Sequence, residues 1–403
     1  MRILYICSTD LSGREASPGS VRHIMEVAEN LVGLGHDVTL IAPDYAPYPH
    51  ETPVRIVYVP LVNVRYARTI MYESLAPLAI LREIGAHRPD AVYWRQSYLT
   101  FWPVVLARLA GVPVVTEVNG LTLDEVESEP LSSLRKRVIL GLESVNYRLS
   151  SRLVCVAPSI RDRIVEHYKL PEDRATVVLN GVNADRMPVM DPREARKALG
   201  WNPDLSYVGF VGHFFPWDGI EGLIHCAPLV AERIPDVRFV VVGHGKWGEH
   251  LPALARRKKV DNRFIFTGMV PWEKLYLYVN AFDVATAPYS REINASSGRS
   301  SLKILEYFAL KKPVVASRTS VIPEVIDIAD RDLGLIVPPE DPPALASAIV
   351  RLLENPRLRE RLGRGGREYV TRERSWPRVT EQVAKILEQA AGGSGFRHPW
   401  TAS

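Results

Sequence analysis

Residues 290–317 carry a serine pair, a lysine and a glutamate at spacings that can bind a phosphorylated ligand. A polar loop runs into an apolar segment of helical periodicity, with Ser300 and Ser301 at the junction. Either serine can cap the helix, and a capped helix start presents free amide groups at the positive end of its dipole. We therefore predict an anion site, suited to phosphate, at the first turn of this helix.

Lys303 and Glu306 are three residues apart, so a helix places both near one face. The Lys303 ammonium lies near the first turn, where it can reach a phosphate. The Glu306 carboxylate lies one turn further along, where it can accept hydrogen bonds from vicinal hydroxyls, so the pair suits a ribose diphosphate. A capped helix with a solvated lysine–glutamate pair is the alternative that these residues alone leave open.

Length and composition bound the class of protein. A chain of 403 residues exceeds the usual size of one domain, so we expect two domains. The formal net charge of +4 is small for this length and gives no signature of nucleic-acid binding. Cys7, Cys155 and Cys226 lack metal-ligand spacing and predict reduced, buried thiols. No run of about 18 apolar residues occurs, so we expect a cytoplasmic protein that neither spans a membrane nor is exported.

Strand-like and helix-like segments alternate along the whole chain, which indicates an α/β fold with a doubly wound parallel sheet in each half. In the first half, strands are predicted at residues 2–7, 35–42, 54–59, 91–95, 112–118, 153–157 and 176–179. In the second half, strands are predicted within residues 207–219, 239–245, 263–271 and 281–288, and after Pro313.

A tight turn at Asn180 and Gly181, followed by the proline-rich residues 187–192, marks a domain boundary near 184. We assign residues 1–183 to the first domain, 184–376 to the second and 392–403 to a mobile tail. Doubly wound sheets bind ligands beyond the carboxyl ends of their strands, which directs attention to residues 94–97 and 117–120.

Residues 302–317 and 334–346 resemble the donor-binding half of GT4-type (glycosyl transferases group 1) retaining glycosyltransferases of the GT-B fold. The first segment is Leu-Lys-Ile-Leu-Glu-Tyr-Phe-Ala-Leu-Lys-Lys-Pro-Val-Val-Ala-Ser, and the resemblance extends over nearly the whole chain. It implies two Rossmann-like domains that face a central cleft, with the helix at 377–391 returning to the first domain. It also implies transfer of a sugar from a nucleotide-sugar donor with retention of configuration.

The resemblance implies roles for residues in both halves of the chain. Gly19 matches the glycine loop that approaches the donor phosphates, and the Val270 backbone matches the group that pairs with the nucleobase edge. Arg299 and Lys303 would neutralise the leaving diphosphate, and Asn119 stands where relatives often carry an acceptor-facing histidine. The implied donor-binding set is Gly19, Gly212, His213, Gly243, Gly245, Val270, Ser300, Ser301, Leu302 and Glu306, and the implied catalytic set is Arg299, Lys303 and Asn119.

The chain departs from the family's pattern at charged positions. His213 and Asp218 stand where many relatives carry arginine and lysine, so the charge that neutralises the diphosphate must come from other residues. Gly298 stands where the family places the first of two glutamates, eight residues apart. Glu292 or Asn294, from the same loop, is a candidate substitute for that missing acid.

Asn119 is a further departure from the family's pattern. An asparagine can orient a hydroxyl but cannot relay a proton, so its predicted acceptor role is positional. A residue that only turns the chain after a strand is the alternative.

We expect no cofactor and no metal, because helix amides and side-chain cations can stabilise the leaving diphosphate. The expected donor is a UDP-sugar in preference to a GDP-sugar, and the expected acceptor is a sugar or a lipid-linked hydroxyl.

Two segments, residues 64–84 and 131–152, mix arginine and lysine with apolar residues at helical spacing. Helices that lie on an anionic membrane have this composition, so peripheral contact with the inner face of the cell membrane is one expectation. Helices that pack on the sheet with their basic faces in water are the alternative.

The sequence thus predicts a retaining glycosyltransferase that moves a hexose or related sugar to a hydroxyl acceptor, as in the synthesis of cell-envelope polysaccharide or glycolipid. Two alternatives stay open at this point: a nucleotide-sugar epimerase of GT-B shape, and an accessory subunit that keeps the fold without the chemistry.

Overall fold

The computed structural model describes residues 1–13, 18–62, 64, 67–97, 100–122, 132–292 and 300–393. The chain forms two compact units by its internal contacts. The N-terminal unit comprises residues 1–180 with the segment from 376, and the C-terminal unit comprises residues 181–375. The sequence placed the corresponding boundaries near 184 and 376.

Seven parallel strands form the sheet of the N-terminal unit, within the described residues. They are β1 (Arg2–Ile6), β2 (Asp37–Pro43), β3 (Arg55–Val59), β4 (Ala91–Arg95), β5 (Val114–Val118), β6 (Arg152–Cys155) and β7 (Ala175–Val177). The spatial order is β3-β2-β1-β4-β5-β6-β7. Each predicted strand of the first half is therefore confirmed, and the valine-rich strands are buried because helices cover both faces of a parallel sheet.

The helices of this unit up to residue 180 are α1 (Pro18–Gly33), α2 (Ala67–His87), α3 (Trp102–Leu109), α4 (Ser133–Leu149) and α5 (Pro158–Tyr168). Helix α3 contacts both α2 and α4. The thiols of Cys7, Cys155 and Cys226 are free and buried, as predicted, and burial raises the pKa of the first two to about 12.

Six parallel strands form the sheet of the C-terminal unit, again within the described residues. They are β8 (Ser206–Val211), β9 (Val237–Val242), β10 (Phe264–Gly268), β11 (Val284–Ala287), β12 (Val314–Ser317) and β13 (Gly334–Val337). The helices are α6 (Pro192–Ala198), α7 (Glu221–Arg233), α8 (Leu251–Arg257), α9 (Trp272–Asn280), α10 (Leu302–Ala309), α11 (Pro323–Arg331), α12 (Pro342–Glu354) and α13 (Pro356–Glu373).

The last helix, α14 (Trp376–Gly392), belongs to the N-terminal unit and packs on α1. Its apolar face includes Trp376, Val383 and Leu387, which lie in the same hydrophobic cluster as β1 and α1. The predicted return of the chain to the first domain is confirmed.

Strand order reverses once in each sheet. In the N-terminal unit the reversal lies between β1 and β4, and in the C-terminal unit, whose order is β10-β9-β8-β11-β12-β13, it lies between β8 and β11. Doubly wound sheets bind ligands at this point, beyond the carboxyl ends of the strands. The residues that end these strands are therefore the candidates for ligand contact.

Candidate active site

Three strand ends of the C-terminal unit are held side by side by backbone hydrogen bonds. The Gly212 N–H donates to the Val242 carbonyl at 3.0 Å, and the Gly243 N–H donates to the Gly268 carbonyl at 2.9 Å. These bonds align the carboxyl ends of β8, β9 and β10. The glycine turns that the sequence singled out therefore lie together at the ligand-binding edge of the sheet.

Neighbouring atoms lie too close to Gly212 and to Gly243 for either residue to carry a side chain without strain. Gly243 has φ of 123°, which residues with a side chain rarely adopt, and a Cβ there would lie 1.9 Å from the Gly212 carbonyl oxygen. A Cβ on Gly212 would lie 2.9 Å from the Nζ atom of Lys303. The absence of side chains lets two strand ends meet and leaves space for a lysine ammonium beside the turn.

Lys303, the second residue of α10, places its ammonium between an acid and two aromatic rings. The Nζ atom donates to Asp218 Oδ1 at 2.6 Å and lies 4.2 Å from the Phe210 ring centroid and 5.6 Å from that of Tyr289. The Lys303 side chain is 15% exposed and that of Asp218 is 3% exposed. We call Gly212 and these four residues the Lys303 cluster, in which ion pairing and cation–π attraction hold the charge in place.

The ion pair changes two expectations. The alternative of a solvated Lys303–Glu306 pair is wrong, because Glu306 is buried and Lys303 contacts Asp218 instead. Asp218 also has a structural role of its own. Its Oδ2 atom accepts the Phe215 N–H at 3.0 Å, and its Oδ1 atom accepts from the Lys303 ammonium. The two charged residues are 85 positions apart, so no local sequence pattern indicates the pair.

The predicted serine cap of α10 is wrong. Ser301 precedes the helix, but its hydroxyl lies 2.6 Å from the Tyr289 hydroxyl and does not cap the helix. The Ser300 hydroxyl donates to Glu324 Oε1 at 2.6 Å, and the Ser301 N–H donates to Glu324 Oε2 at 2.8 Å. The Glu324 carboxylate, on α11, therefore accepts the hydrogen bond of a backbone amide that the sequence predicted to bind a ligand.

Glu324 is fully buried and is itself held by a cation. Its Oε1 atom accepts from Arg374 Nη2 at 3.0 Å, and both side chains are at most 4% exposed. Arg374 has a second, longer contact with Asp327 Oδ2 at 3.5 Å, and removal of either charge of the Glu324–Arg374 pair is unfavourable because both side chains are buried. The pair fixes the loop before α10 to the end of α13, so the start of α10 is rigidly placed.

The next amides of α10 are those of Leu302 and Lys303. Among the described residues, no hydrogen-bond acceptor lies on the N–H of Leu302 or on the N–H of Lys303. These groups carry the positive end of the helix dipole. Together with the Lys303 ammonium they form the cationic part of the site.

His213 and His244 follow the two glycine turns, with ring centroids 5.1 Å apart. Partial desolvation, together with the neighbouring His244, lowers the pKa of His213 below its ordinary value. Since an unperturbed histidine titrates near pH 6.5, His213 is neutral at pH 7. It can exchange hydrogen bonds with a ligand there, but it does not supply the positive charge that the resemblance implies at this position.

The remaining predicted residues of this unit lie near the same edge. Val270 follows β10 and is half-buried against the core of the unit. Gly245 lies beyond the β9 turn, where a Cβ would come within 2.6 Å of the Phe214 carbonyl oxygen. Glu306 lies one turn along α10 from Lys303 and is 8% exposed.

Some predictions fall on residues that the structure does not describe. Arg299, Gly298 and Asn294 lie in the segment 293–299, outside the described residues. Glu292 is described and is exposed. The roles predicted for all four remain predictions.

A second polar cluster lies at the strand ends of the N-terminal unit. Glu117, on β5, is 1% exposed and accepts from His23 Nε2 at 2.8 Å, Arg95 Nη1 at 2.6 Å and the Tyr5 hydroxyl at 3.3 Å. Asn119 Nδ2 also donates to it. We call these five residues the Glu117 cluster.

The charge of Glu117 is fixed by its partners. Burial alone would raise the pKa of this carboxyl group, but the ion pairs with His23 and Arg95 outweigh burial and hold the pKa well below its ordinary value. Glu117 is therefore an anion at physiological pH, and it acts as a hydrogen-bond acceptor.

Gly19 and Asn119 are both found in the N-terminal unit. Gly19 lies in the first turn of α1 and is half-buried, and the residues just before it, 14–17, are outside the described part of the chain. Asn119 directly follows β5 and is half-buried. His23, four residues after Gly19, reaches the same strand ends as Asn119 through Glu117.

Sequence reasoning missed several residues that hold these sites. The strand ends at 94–97 and 117–120 were singled out, but not His23, which reaches Glu117 across 94 positions of sequence. Glu324 was also missed, although Pro323 and Glu324 together are a usual helix start. Such a pattern predicts the helix but not the distant amide that the carboxylate binds.

In the described part of the chain, no helix is long and apolar enough to cross a membrane. Within the same residues, no group of three or more histidine, cysteine, aspartate or glutamate side chains is arranged to hold a metal ion.

Comparison with known proteins places the chain in a family. The family model described as Glycosyltransferase Family 4 matches residues 18–186, and that described as Glycosyl transferases group 1 matches residues 206–355. The chain is also similar to a D-inositol 3-phosphate glycosyltransferase of Saccharomonospora viridis. The identity is 31% over 294 residues, which are 70% of this chain and 65% of that protein.

Solved structures show the same fold. Sucrose-phosphate synthase of Thermosynechococcus elongatus superimposes with a TM-score of 0.75 at 19% identity, covering 96% of this chain and 98% of the other. The Anabaena protein HepE, solved with UDP-glucose, superimposes with a TM-score of 0.70 at 16% identity, covering 96% and 100%. With two doubly wound units and both family models matched, the chain belongs to the group 1 and family 4 glycosyltransferases of the GT-B fold.

Proposed function

We propose that this glycosyltransferase moves a hexose or related sugar from a nucleotide-diphosphate donor to a hydroxyl acceptor, with retention of configuration and without a metal. The observation that carries the proposal is the Lys303 cluster, in which an ammonium group lies beside glycine turns and near two amides of α10 that have no acceptor among the described residues. UDP-glucose, the ligand of the HepE structure, is the first donor to test, and UDP is preferred to GDP.

The cluster supports a role in leaving-group stabilisation. An ammonium has three donors, and Asp218 takes one of those of Lys303, so two can turn to a diphosphate. The N–H groups of Leu302 and Lys303 add two donors at the positive end of a helix. Fixed donors of this kind, aimed at developing charge, are each worth about 3 kcal/mol in a site shielded from water.

The proposed reaction needs no enzyme nucleophile. The bond from the anomeric carbon to the diphosphate breaks as its electron pair moves to the phosphate oxygen. The acceptor hydroxyl attacks from the same face and passes its proton to that oxygen, so the products are a glycoside and a nucleoside diphosphate. We assign ribose hydroxyls to Glu306, the nucleobase edge to Val270 and the acceptor hydroxyl to Asn119, and we retain Arg299 as a further diphosphate ligand.

Peripheral contact with an anionic membrane forms part of the proposal. Helix α2 exposes Ile70 by 68% and Leu78 by 63%, and α4 exposes Leu134 by 73% and Val138 by 52%. These side chains recur at helical spacing beside the exposed Arg82, Arg135 and Arg137. Apolar residues flanked by arginine on a surface helix favour the interface of an anionic bilayer.

The membrane contact can be tested by sedimentation with vesicles. We expect the protein to bind phosphatidylglycerol vesicles and not phosphatidylcholine vesicles, and a variant with Ile70→Glu and Leu134→Glu to lose binding. Val189→Glu, at a 42% exposed valine in the C-terminal unit, is the matched control. Equal binding by all three proteins would contradict the proposed surface.

The donor site is tested by binding and turnover together. Calorimetry with UDP and GDP, with and without EDTA, measures nucleotide preference and metal dependence. Release of UDP from UDP-sugars, with product analysis by NMR, separates transfer or hydrolysis from epimerisation, which releases no nucleotide. Absence of both nucleotide binding and turnover across the sugar panel would support the accessory-subunit alternative.

Lys303→Met and Glu306→Gln are the informative variants for the donor site. We expect Lys303→Met to lower the turnover number by about a hundredfold, because one fixed cation is lost. Glu306→Gln should mainly raise the KM for the donor. Lys197→Met, which breaks an exposed pair with Glu194 in the same unit, is the control and should leave both constants unchanged.

A further inference from the structure

The side chain of Asn119 has one orientation that its surroundings permit. Its Nδ2 group donates to Glu117 Oε1. Turning the amide by half a rotation would set Asn119 Oδ1 against a carboxylate oxygen, and neither atom would carry a proton. Oδ1 therefore faces away from Glu117, and within the described residues no hydrogen-bond donor of the protein reaches it.

The group that sets this orientation is itself held firmly. Glu117 lies between the His23 imidazole at 2.8 Å and the Arg95 guanidinium at 2.6 Å, and its side chain is 1% exposed. Arg95 and Glu117 are register partners on β4 and β5, so the sheet fixes their separation. Since Glu117 stays ionised, it can only accept hydrogen bonds, and it cannot accommodate the flipped amide.

From this geometry we infer that Glu117 is a positioning residue that presents the Asn119 carbonyl oxygen to a ligand hydroxyl. Oδ1 can only accept a hydrogen bond, so the group bound there must carry a proton. A neutral sugar or alcohol hydroxyl satisfies this requirement, whereas a carboxylate or a fully ionised phosphate does not.

The inference rests on the proposed function, because it names the chemistry of the acceptor for that reaction. Asn119 Oδ1 is the atom that contacts the acceptor, and Glu117 is the residue that orients it. His23 and Arg95 are placed as supports of Glu117, and neither touches the acceptor.

The orientation can be measured without any reaction. Selective 15N labelling of asparagine in the full-length protein, with Asn119→Leu to assign the signal, reports both amide protons of Asn119. We expect one of them to be shifted downfield and to exchange slowly, and we expect Glu117→Gln to abolish both properties, since glutamine can pair with either orientation. An Asn119 amide unaffected by Glu117→Gln would overturn the inference.

Glu83→Gln is the control for this experiment. Glu83 is likewise buried in the N-terminal unit, at 3% exposure, and pairs with an arginine and a histidine, Arg55 at 2.6 Å and His87 at 3.4 Å, whose side chains are 48% and 50% exposed. Its pairs lie at the start of β3 and on α2, so the variant should reproduce the loss of a buried carboxylate and leave the Asn119 signals unchanged.

Kinetics test the hydroxyl contact, with water as the probe hydroxyl and UDP-glucose as the donor. We expect Asn119→Leu to lower the turnover number for UDP release by about tenfold, the effect of one lost hydrogen bond, with the donor KM unchanged. Asn119→His, which keeps an acceptor atom, should restore most of the rate. Unchanged UDP release by Asn119→Leu would refute the contact.

Different measurements decide the proposed function and the orientation of Asn119 by Glu117. If the wild-type protein releases no nucleotide from any donor tested, the proposed function is wrong. The NMR result then still decides whether Glu117 orients Asn119.

Discussion

Asp218→Asn should make nucleotide binding tighter while it makes the protein less stable. In the folded protein the Asp218 carboxylate lies 2.6 Å from the Lys303 ammonium and neutralises most of its charge. A diphosphate bound at α10 has to share this cation with Asp218. Asparagine has nearly the same shape but no charge, so the substitution frees the cation for the ligand.

The expected magnitudes follow from charge and burial. A unit charge placed about 6 to 12 Å from a phosphate, at an effective dielectric constant of about 20, contributes about 1.4 to 2.8 kcal/mol. Its removal should lower the dissociation constant for UDP by about tenfold to a hundredfold. The lost pair should lower the free energy of unfolding by about 3 kcal/mol, since Lys303 is only 15% exposed.

Calorimetry with UDP measures the first effect, and urea unfolding followed by circular dichroism measures the second. Asp283→Asn is a matched control in the same unit. Asp283 accepts from Arg196 at 2.6 Å and from the Tyr207 N–H at 2.8 Å, a pattern of partners like that of Asp218. Asp283 directly precedes β11 and so lies at the amino ends of the strands, whereas the glycine turns follow the carboxyl ends. Asp283→Asn should therefore destabilise the protein without changing UDP binding.

Competition between Asp218 and the ligand is refuted if Asp218→Asn binds UDP as weakly as the wild type, or more weakly, while remaining folded. That outcome would mean that Asp218 holds Lys303 in a productive position and that its charge does not compete with the ligand. Comparison at low and high salt separates the two effects, because a purely electrostatic gain is reduced by screening.

Three other substitutions give further predictions. Glu324→Gln should lower the free energy of unfolding by about 3 kcal/mol in denaturant titrations, because it leaves the buried Arg374 with only the more distant Asp327, at 3.5 Å, as counter-charge; a loss below about 1 kcal/mol would contradict the buried pair. Gly212→Ala should weaken UDP binding and also lower the free energy of unfolding, because a residue with a side chain is strained at φ of 158° and its Cβ would lie 2.9 Å from the Nζ atom of Lys303; unchanged affinity would contradict this contact. Burial lowers the pKa of Lys312 to about 8, so between pH 8 and pH 10 the unfolded chain keeps a proton that the folded chain has lost. Stability should rise with pH across this interval by about 1 to 2 kcal/mol, and the rise should be absent in Lys312→Met.

Local sequence patterns were sufficient for most of the architecture. Runs of valine and isoleucine bounded by glycine and proline predicted the strands, and their alternation with helical periodicity predicted two doubly wound sheets. The position of β5 also directed attention to Glu117 and Asn119, because the ligand-binding edge of such a sheet follows from strand direction. These predictions succeeded because strand and helix periodicity is a property of consecutive residues.

The hydrogen bonds and ion pairs of the polar residues at the strand ends could not be predicted from local patterns. Serines before a helix normally cap it, yet the Ser301 amide binds Glu324, which follows 23 residues later in another helix. Lys303 at a helix start suggested a free cation, yet its partner Asp218 lies 85 residues earlier. In both cases a local preference worth about 1 kcal/mol was outweighed by the need to satisfy a buried carboxylate.

The sequence by itself determined the fold class, the family and the edges of the sheets at which chemistry can occur, because these depend on periodicity and on short motifs. Only the tertiary structure decided which charges meet at those edges: Lys303 with Asp218, Glu324 with the Ser301 amide, and Glu117 with His23, Arg95 and Asn119. The physical reason is that ion pairs and hydrogen bonds depend on distances of about 3 Å between atoms. Residues far apart in the chain reach such distances only after the strands and helices have packed.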